Sequence, residues 1–165
     1  IKEENDQINN ILEDNLHKLI KPYLEDTLST LHLDQQQIII LYNARSLATG
    51  LTADYKGYTT QQNTLCTKCI LQQRQDIIHI TKYCTHDMIM LWRQQLHDTT
   101  QQVILNTTLQ TQWPQLTDEQ QILIFLATPT DIPQQTREQL TKAFIQFFQH
   151  ILEYTSLHKH HSYQF

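Results

Sequence analysis

Two glycines in 165 residues, Gly50 and Gly57, leave this chain very few places where a left-handed turn costs nothing. Only four prolines join them, at 22, 114, 129 and 133. What fills the space between is apolar residues recurring at three- and four-residue steps, with no convincing set of alternating strands. The chain is therefore expected to be all-α: about five to seven helices in an irregular, single-domain bundle over residues 1–157, followed by a His-rich tail at 158–165. A chain of this length can bury about 70% of its unfolded surface, so a core without staples is within reach.

The helices can be placed by their punctuation. A first segment from Lys2 to Leu33 carries a stripe through Ile8, Ile11, Leu12, Leu16 and Leu19, with a kink or restart expected at Pro22. Asp34 and Gln37 have capping-box spacing ahead of Ile38-Ile39-Ile40-Leu41, and Gly50 is a plausible stop. Residues 50–63 read as the longest loop. A helix from Thr85 to Trp113 is expected to break near Asp98-Thr99-Thr100, since Thr and Asp are weak helix formers. Thr117 and Gln120 repeat the capping box ahead of Ile122-Leu123-Ile124-Phe125. The two capped starts echo one another, through duplication of a helical hairpin or through convergence on one grammar. The last helix begins near Pro133 and is expected to end about Leu157. Its face of Leu140, Phe144, Phe147, Ile151 and Tyr154, widened by Phe148 and Leu152, is the cleanest amphipathic pattern in the chain. That face is either core or a surface for self-association or a partner.

All three cysteines fall in one stretch, residues 64–86. Cys66-x2-Cys69 followed by His79-x4-Cys84 supplies three thiols and an imidazole, the donors that tetrahedral zinc prefers. The outline resembles a zinc knuckle with an overlong middle gap. If residues 66–83 form one helix, Cys69 and His79 stand about 15 Å apart along its axis and cannot share an ion. The segment from Ile70 to Asp76 contains neither Gly nor Pro and tolerates helix throughout. The expectation is therefore an unbroken helix with its cysteines packed inward as small core residues, and no cofactor. A zinc site at Cys66, Cys69, His79 and Cys84 is the competing reading, and it requires the chain to turn back between Cys69 and His79. Redox use of Cys66 and Cys69 would need a strand-helix-strand setting that is absent from the pattern.

Other chemistry is weaker. Asp14 with His17, Asp76 with His79, and His150 with Glu153 place a carboxylate and an imidazole on one helical face, but the set falls short of a paired-metal bundle. His79 or His150 beside large apolar residues would suit a haem. Cys84 and His86, two apart, are poorly placed as nucleophile and base. No Gly-rich phosphate loop, nucleophile elbow or H-E-x-x-H occurs. With 12 Lys plus Arg against 17 Asp plus Glu, the net charge of -5 argues against general affinity for nucleic acid. No apolar run approaches a membrane span. An odd number of cysteines favours a reducing compartment such as the cytoplasm. The first residue is Ile and nothing after it resembles a signal peptide, which admits a fragment or a processed product. These features point to a non-catalytic helical domain that binds another protein or itself. A ligand or cofactor sensor with a pocket at Trp92, Phe144 and Phe148 comes next, then a zinc-binding domain.

Overall fold

The computed structural model describes residues 31–45, 65–126 and 131–163, with side chains described to residue 154. Residues 2–30 of the expected first helix with its Pro22 kink, the pair Asp14 and His17, Gly50, the long loop and Pro129 lie outside the described residues, and the helix's expected end at 31–33 is not helical. What is described is all-α, as the glycine-poor sequence requires: α1 (Gln35–Arg45), a π-helical turn (His79–Tyr83), α2 (Asp87–Ile104), the short α3 (Leu109–Gln112), a 3-10 turn (Trp113–Gln115), α4 (Asp118–Phe125) and α5 (Gln134–Tyr163). Among the described residues no helix is long and apolar enough to cross a membrane.

Both predicted capping boxes form. Ahead of α1, Gln37 N–H donates to Asp34 Oδ1 at 2.8 Å while Asp34 N–H donates to Gln37 Oε1 at 3.0 Å. Ahead of α4, Gln120 N–H donates to Thr117 Oγ1 at 3.2 Å and Thr117 N–H donates to Gln120 Oε1 at 2.9 Å. In each case two backbone donors that a helix start leaves orphaned are satisfied reciprocally.

The expected break at Asp98-Thr99-Thr100 does not occur. Helix α2 runs straight through it, because the Thr100 hydroxyl donates to the carbonyl of Leu96 at 2.7 Å and so satisfies its polar group within the helix. The chain leaves the helix later, at Leu105, and Asn106 takes φ 62°. Asn tolerates the left-handed region better than most residues, so the stop is placed where that residue stands. At the other end of the molecule α5 continues to Tyr163, past the end expected at Leu157.

Helix α5 is the axis on which α1, α2 and α4 pack. The face predicted from its periodicity is the core: Leu140, Phe144, Phe147 and Ile151 are buried, and Tyr154 is half-buried. The reading of that face as an interaction surface is therefore corrected. Its apolar side chains are covered by this chain's own helices, with Phe144 stacked on Phe125 (centroids 5.2 Å apart) and on Phe148 (5.7 Å). Trp113 meets Phe125 edge-on at 5.3 Å. Burying such rings contributes about 1.5–3 kcal/mol each, which fixes α4 against α5. Arg45 at the end of α1 is fully buried, and its Nε–H donates to the carbonyl of Leu126, the residue that closes α4, at 2.7 Å. A cation at a helix C-terminus complements the helix dipole and satisfies a carbonyl with no partner inside the helix.

A candidate metal centre

The expected unbroken helix over residues 66–83 does not form. Instead the chain doubles back: Leu65 and Arg74 make an isolated antiparallel bridge, and the Cys66 N–H donates to the carbonyl of Gln73 at 2.7 Å. The reversal is made at Gln72, which takes φ 51°. The absence of Gly from residues 70–76 argued for helix because a left-handed non-glycine residue costs about 1–2 kcal/mol. Here the cross-loop hydrogen bond and the meeting of four donor side chains offset that cost. The reversal returns His79 toward Cys69 instead of carrying it along a rod.

After the reversal Ile77 is buried and the π-helical turn follows. Asp76 starts it, its Oδ1 accepting from the His79 N–H at 2.8 Å. The Cys84 N–H closes it by donating to the carbonyl of His79 at 2.8 Å. The wider winding of a π-turn, with its i→i+5 bond, places residues 79 and 84 on one side of the turn.

As a result Cys66, Cys69, His79 and Cys84 converge. One donor atom from each lies within 4.8 Å of all the others, an arrangement that could hold a metal ion. Cys66 and Cys84 are 3.9 Å apart at sulfur, and Cys69 Sγ stands 3.4 Å from His79 Nε2. Cys66, His79 and Cys84 are buried and Cys69 is partly so, and none of the cysteines is in a disulfide.

The surroundings suit a metal as well as the donors do. His79 Nδ1 lies 2.9 Å from Gln73 Oε1. An amide oxygen can only accept, so Nδ1 carries the proton and Nε2 is left with its lone pair toward the cysteines. Gln75 Nε2–H donates to Cys66 Sγ at 3.6 Å, which favours a thiolate. Cations stand on both flanks. The Lys68 ammonium feels the Cys66 and Cys84 sulfurs, although burial is the stronger influence and pulls its pKa down. Arg93 is likewise lowered by burial and raised by Cys84 and Cys69. Its Nη2 donates to the carbonyls of Ile80 (2.9 Å) and Cys84 (2.8 Å), tying α2 to the turn. Lys68 also sits over the Tyr154 ring, 4.7 Å from its centroid, which clamps the loop onto α5.

Their contact shifts the Cys66 and Cys84 thiols in opposite directions. Cys66 is drawn down to about 3, chiefly by the hydrogen bond from the Cys84 thiol, against burial and with help from His79. Cys84 is pushed up by the same hydrogen bond and by burial.

The other candidates separate from this cluster. Asp76 uses its carboxylate as a backbone acceptor for His79 and is not a co-ligand. His150 stacks on Trp92 with centroids 5.4 Å apart, Glu153 accepts from Gln149, and neither belongs to the cluster of four donors. His86 caps α2 through Nδ1 and meets the Tyr154 hydroxyl at Nε2 (3.1 Å), while Cys84 turns inward. Cys84 and His86, already poorly placed by their spacing, thus take separate roles. Phe144 and Phe148 are core residues, while Trp92 lines a cavity of about 190 Å³ with Phe147 and His150. Sequence reasoning missed Lys68, Gln73, Gln75 and Arg93. Only the C-x2-C…H-x4-C spacing signalled the site, and nothing in the sequence marks the residues that support it.

Comparison with protein-family models, with curated proteins and with solved structures found no match.

Proposed function

We propose, from the chemistry of the four donors, that Cys66, Cys69, His79 and Cys84 bind one zinc ion that holds the loop in place, and that the domain is a binding module rather than a catalyst. The observation that carries this reading is the spacing of the donors. Tetrahedral zinc, with bonds of about 2.3 Å to sulfur and about 2.05 Å to nitrogen, sets sulfurs about 3.8 Å apart and sulfur from nitrogen about 3.6 Å apart. The Cys66–Cys84 and Cys69–His79 separations here are 3.9 Å and 3.4 Å, and all four donor atoms lie within 4.8 Å of one another. Three soft thiolates and an imidazole select zinc over the hard cations, which take oxygen donors. Four protein ligands close the coordination sphere and leave no open position for a substrate or an activated water, the pattern of a structural site.

The role as a binding module draws on the exposed apolar residues of α2. Met88, Met90 and Leu91 are 38%, 48% and 51% exposed on α2, the helix that Arg93 ties to the turn. Flexible methionines on a surface adapt to a partner's shape. The partner is another protein or a second copy of this chain.

Elemental analysis together with native mass spectrometry tests the metal: one zinc per chain is expected, removed by a strong chelator and absent from Cys84→Ser. A metal-free protein with the same amide protection over residues 65–84 would sink the reading. Light scattering then separates self-association from a monomer that awaits a different partner.

A further inference from the structure

The four donors of the loop differ in how they meet solvent. Cys66 is 5% exposed, His79 3% and Cys84 not at all. Cys69 is the partly exposed member of the set, and it precedes Ile70, the 89% exposed residue at the loop's tip. Its sulfur is nonetheless close to the buried donors. It lies 3.4 Å from His79 Nε2 and within 4.8 Å of the Cys66 and Cys84 sulfurs. One sulfur thus faces reagents from solvent, with two more directly behind it.

Backbone bonds keep that grouping together independently of the sulfurs. The Cys66 N–H is held by the carbonyl of Gln73, and the Cys84 N–H by that of His79. None of the three cysteines is already in a disulfide. Closing one to about 2.05 Å asks for a short movement of the exposed tip rather than a rearrangement of the buried pair.

We propose that Cys69 is a site of modification by peroxide, and that its oxidation closes a disulfide with Cys66 or Cys84 that releases the ion and frees the loop. This rests on the zinc reading, because coordination is what keeps each sulfur a thiolate, the nucleophilic form. In the first step the Cys69 sulfur attacks hydrogen peroxide. An S–O bond forms, the O–O bond breaks and hydroxide leaves, giving a sulfenic acid. In the second step the Cys66 or Cys84 thiolate attacks that sulfur. An S–S bond forms, the S–O bond breaks and a second hydroxide leaves. Two sulfurs have then given two electrons to one peroxide, which ends as two waters after taking two protons from solvent. The ion keeps its charge but loses two of its four donors. Lys68 over Tyr154, and Arg93 on the carbonyls of Ile80 and Cys84, join the loop to α5 and α2, so its release is felt by both helices.

Hydrogen peroxide added to the zinc-loaded full chain tests it, with a chromophoric indicator for released zinc, peptide mass spectrometry for disulfides, and a parallel sample containing dimedone to trap sulfenic acid. The exposed Met88 and Met90 report the dose through their sulfoxides. One zinc is expected to leave for every two thiols lost, in a disulfide that contains Cys69, and a dithiol reductant with fresh zinc should restore the metal. Dimedone should label Cys69 at least about tenfold faster than Cys66 or Cys84, since susceptibility among thiolates follows exposure. Cys69→His keeps a zinc donor but removes the exposed sulfur, so it should hold the ion and release it about tenfold more slowly. Should that variant not load, the order of labelling in the unaltered chain still decides. The proposal is overturned if zinc stays bound while both methionines are oxidised, if Cys66 or Cys84 is labelled first, if the first disulfide omits Cys69, or if Cys69→His releases zinc as fast. Those outcomes leave the zinc reading standing, whereas a reduced chain that takes up no zinc sinks both.

Discussion

The loop of residues 65–84 and the aromatic core around α5 touch through Lys68 and Tyr154, yet they are held by opposite means. The core is a continuous packing of large side chains, Phe125 on Phe144 on Phe148, in which each ring excludes water from its neighbours. The loop offers less apolar bulk. It buries Ile77 and Ile80, but it leaves Ile70 89% exposed at its tip and turns on a left-handed Gln72. Its order comes from directional bonds that converge on four donor atoms. Non-directional burial tolerates one lost contact by partial collapse, whereas a coordination shell does not. The loop should therefore fail all at once and the core by degrees.

Under the proposed zinc reading, removing the metal is the largest perturbation that separates them. Structural zinc sites in small domains contribute about 10–16 kcal/mol of apparent binding energy at neutral pH, most of it folding energy. Chelation, or Cys84→Ser, is expected to abolish hydrogen-exchange protection at the Cys66 and Cys84 amides and to lower the melting temperature by about 10 °C or more. Circular dichroism should meanwhile retain most of the helical signal of α2, α4 and α5. Loss of the whole helical signal would make loop and core one cooperative unit, and the comparison would break.

The reverse experiment strikes the core. Phe144→Ala deletes a ring that meets Phe125, Phe147 and Phe148, and should cost about 3–5 kcal/mol in denaturant unfolding through the cavity it leaves. Metal stoichiometry should remain unchanged, because no ligand rests on that ring.

Acid distinguishes the two regions without a mutation. The ion needs every thiol as thiolate. Cys66 already favours that form, whereas Cys84, pushed up by its hydrogen bond and burial, must give up a proton when metal arrives. Metal affinity therefore falls as pH falls, by about tenfold per pH unit for each proton displaced. Competition with a chromophoric chelator between pH 7.5 and 5.5 reads it out, at about pH-unit steps. A flat profile would mean that no thiol proton is displaced. The apolar packing of the core has no such proton to lose.

Gln73→Ala tests the loop more gently. It leaves all four ligands but removes the acceptor that fixes the His79 tautomer, and a partner of that kind is worth about 10–100-fold in metal affinity. An unchanged affinity would show that His79 is oriented by the turn alone.

How far each region could be read from sequence follows the same division. The α5 face was legible from the steps between Leu140, Phe144, Phe147 and Ile151, because burial acts on residue type and periodicity alone. The starts of α1 and α4 were legible because a capping box is local, three residues deep. The loop of residues 65–84 spelled out its four donors but not its path. Between Cys69 and His79 the sequence contains no turn residue, and the reversal at Gln72 is imposed by contacts such as Cys66 N–H to Gln73 that no local rule encodes. Asn106 is the instructive contrast: it also takes a positive φ, but as a residue whose type advertises it. The supporting residues Gln73, Gln75 and Arg93 stayed silent because amides and guanidinium groups abound on helix surfaces, and only the folded loop selects among them.

The smallest effect belongs to the local devices, and it bounds how much of the core is made by them. Thr117→Ala removes the hydroxyl that accepts from the Gln120 N–H, while Gln120 keeps its side-chain bond to the Thr117 backbone. The expected cost is about 1 kcal/mol, read as a shift of the denaturant midpoint with an unchanged slope. Helix α4 is only eight residues long, too short to be stable by itself, so its order must come from Ile122, Ile124 and Phe125 packed against the rest of the chain. A loss well above 1 kcal/mol would mean that the cap nucleates α4 and that packing follows. The core would then resemble the loop in resting on a few directional bonds. A loss near 1 kcal/mol or below would keep the two regions physically distinct, with the cap choosing where the helix begins and the buried rings deciding that it forms.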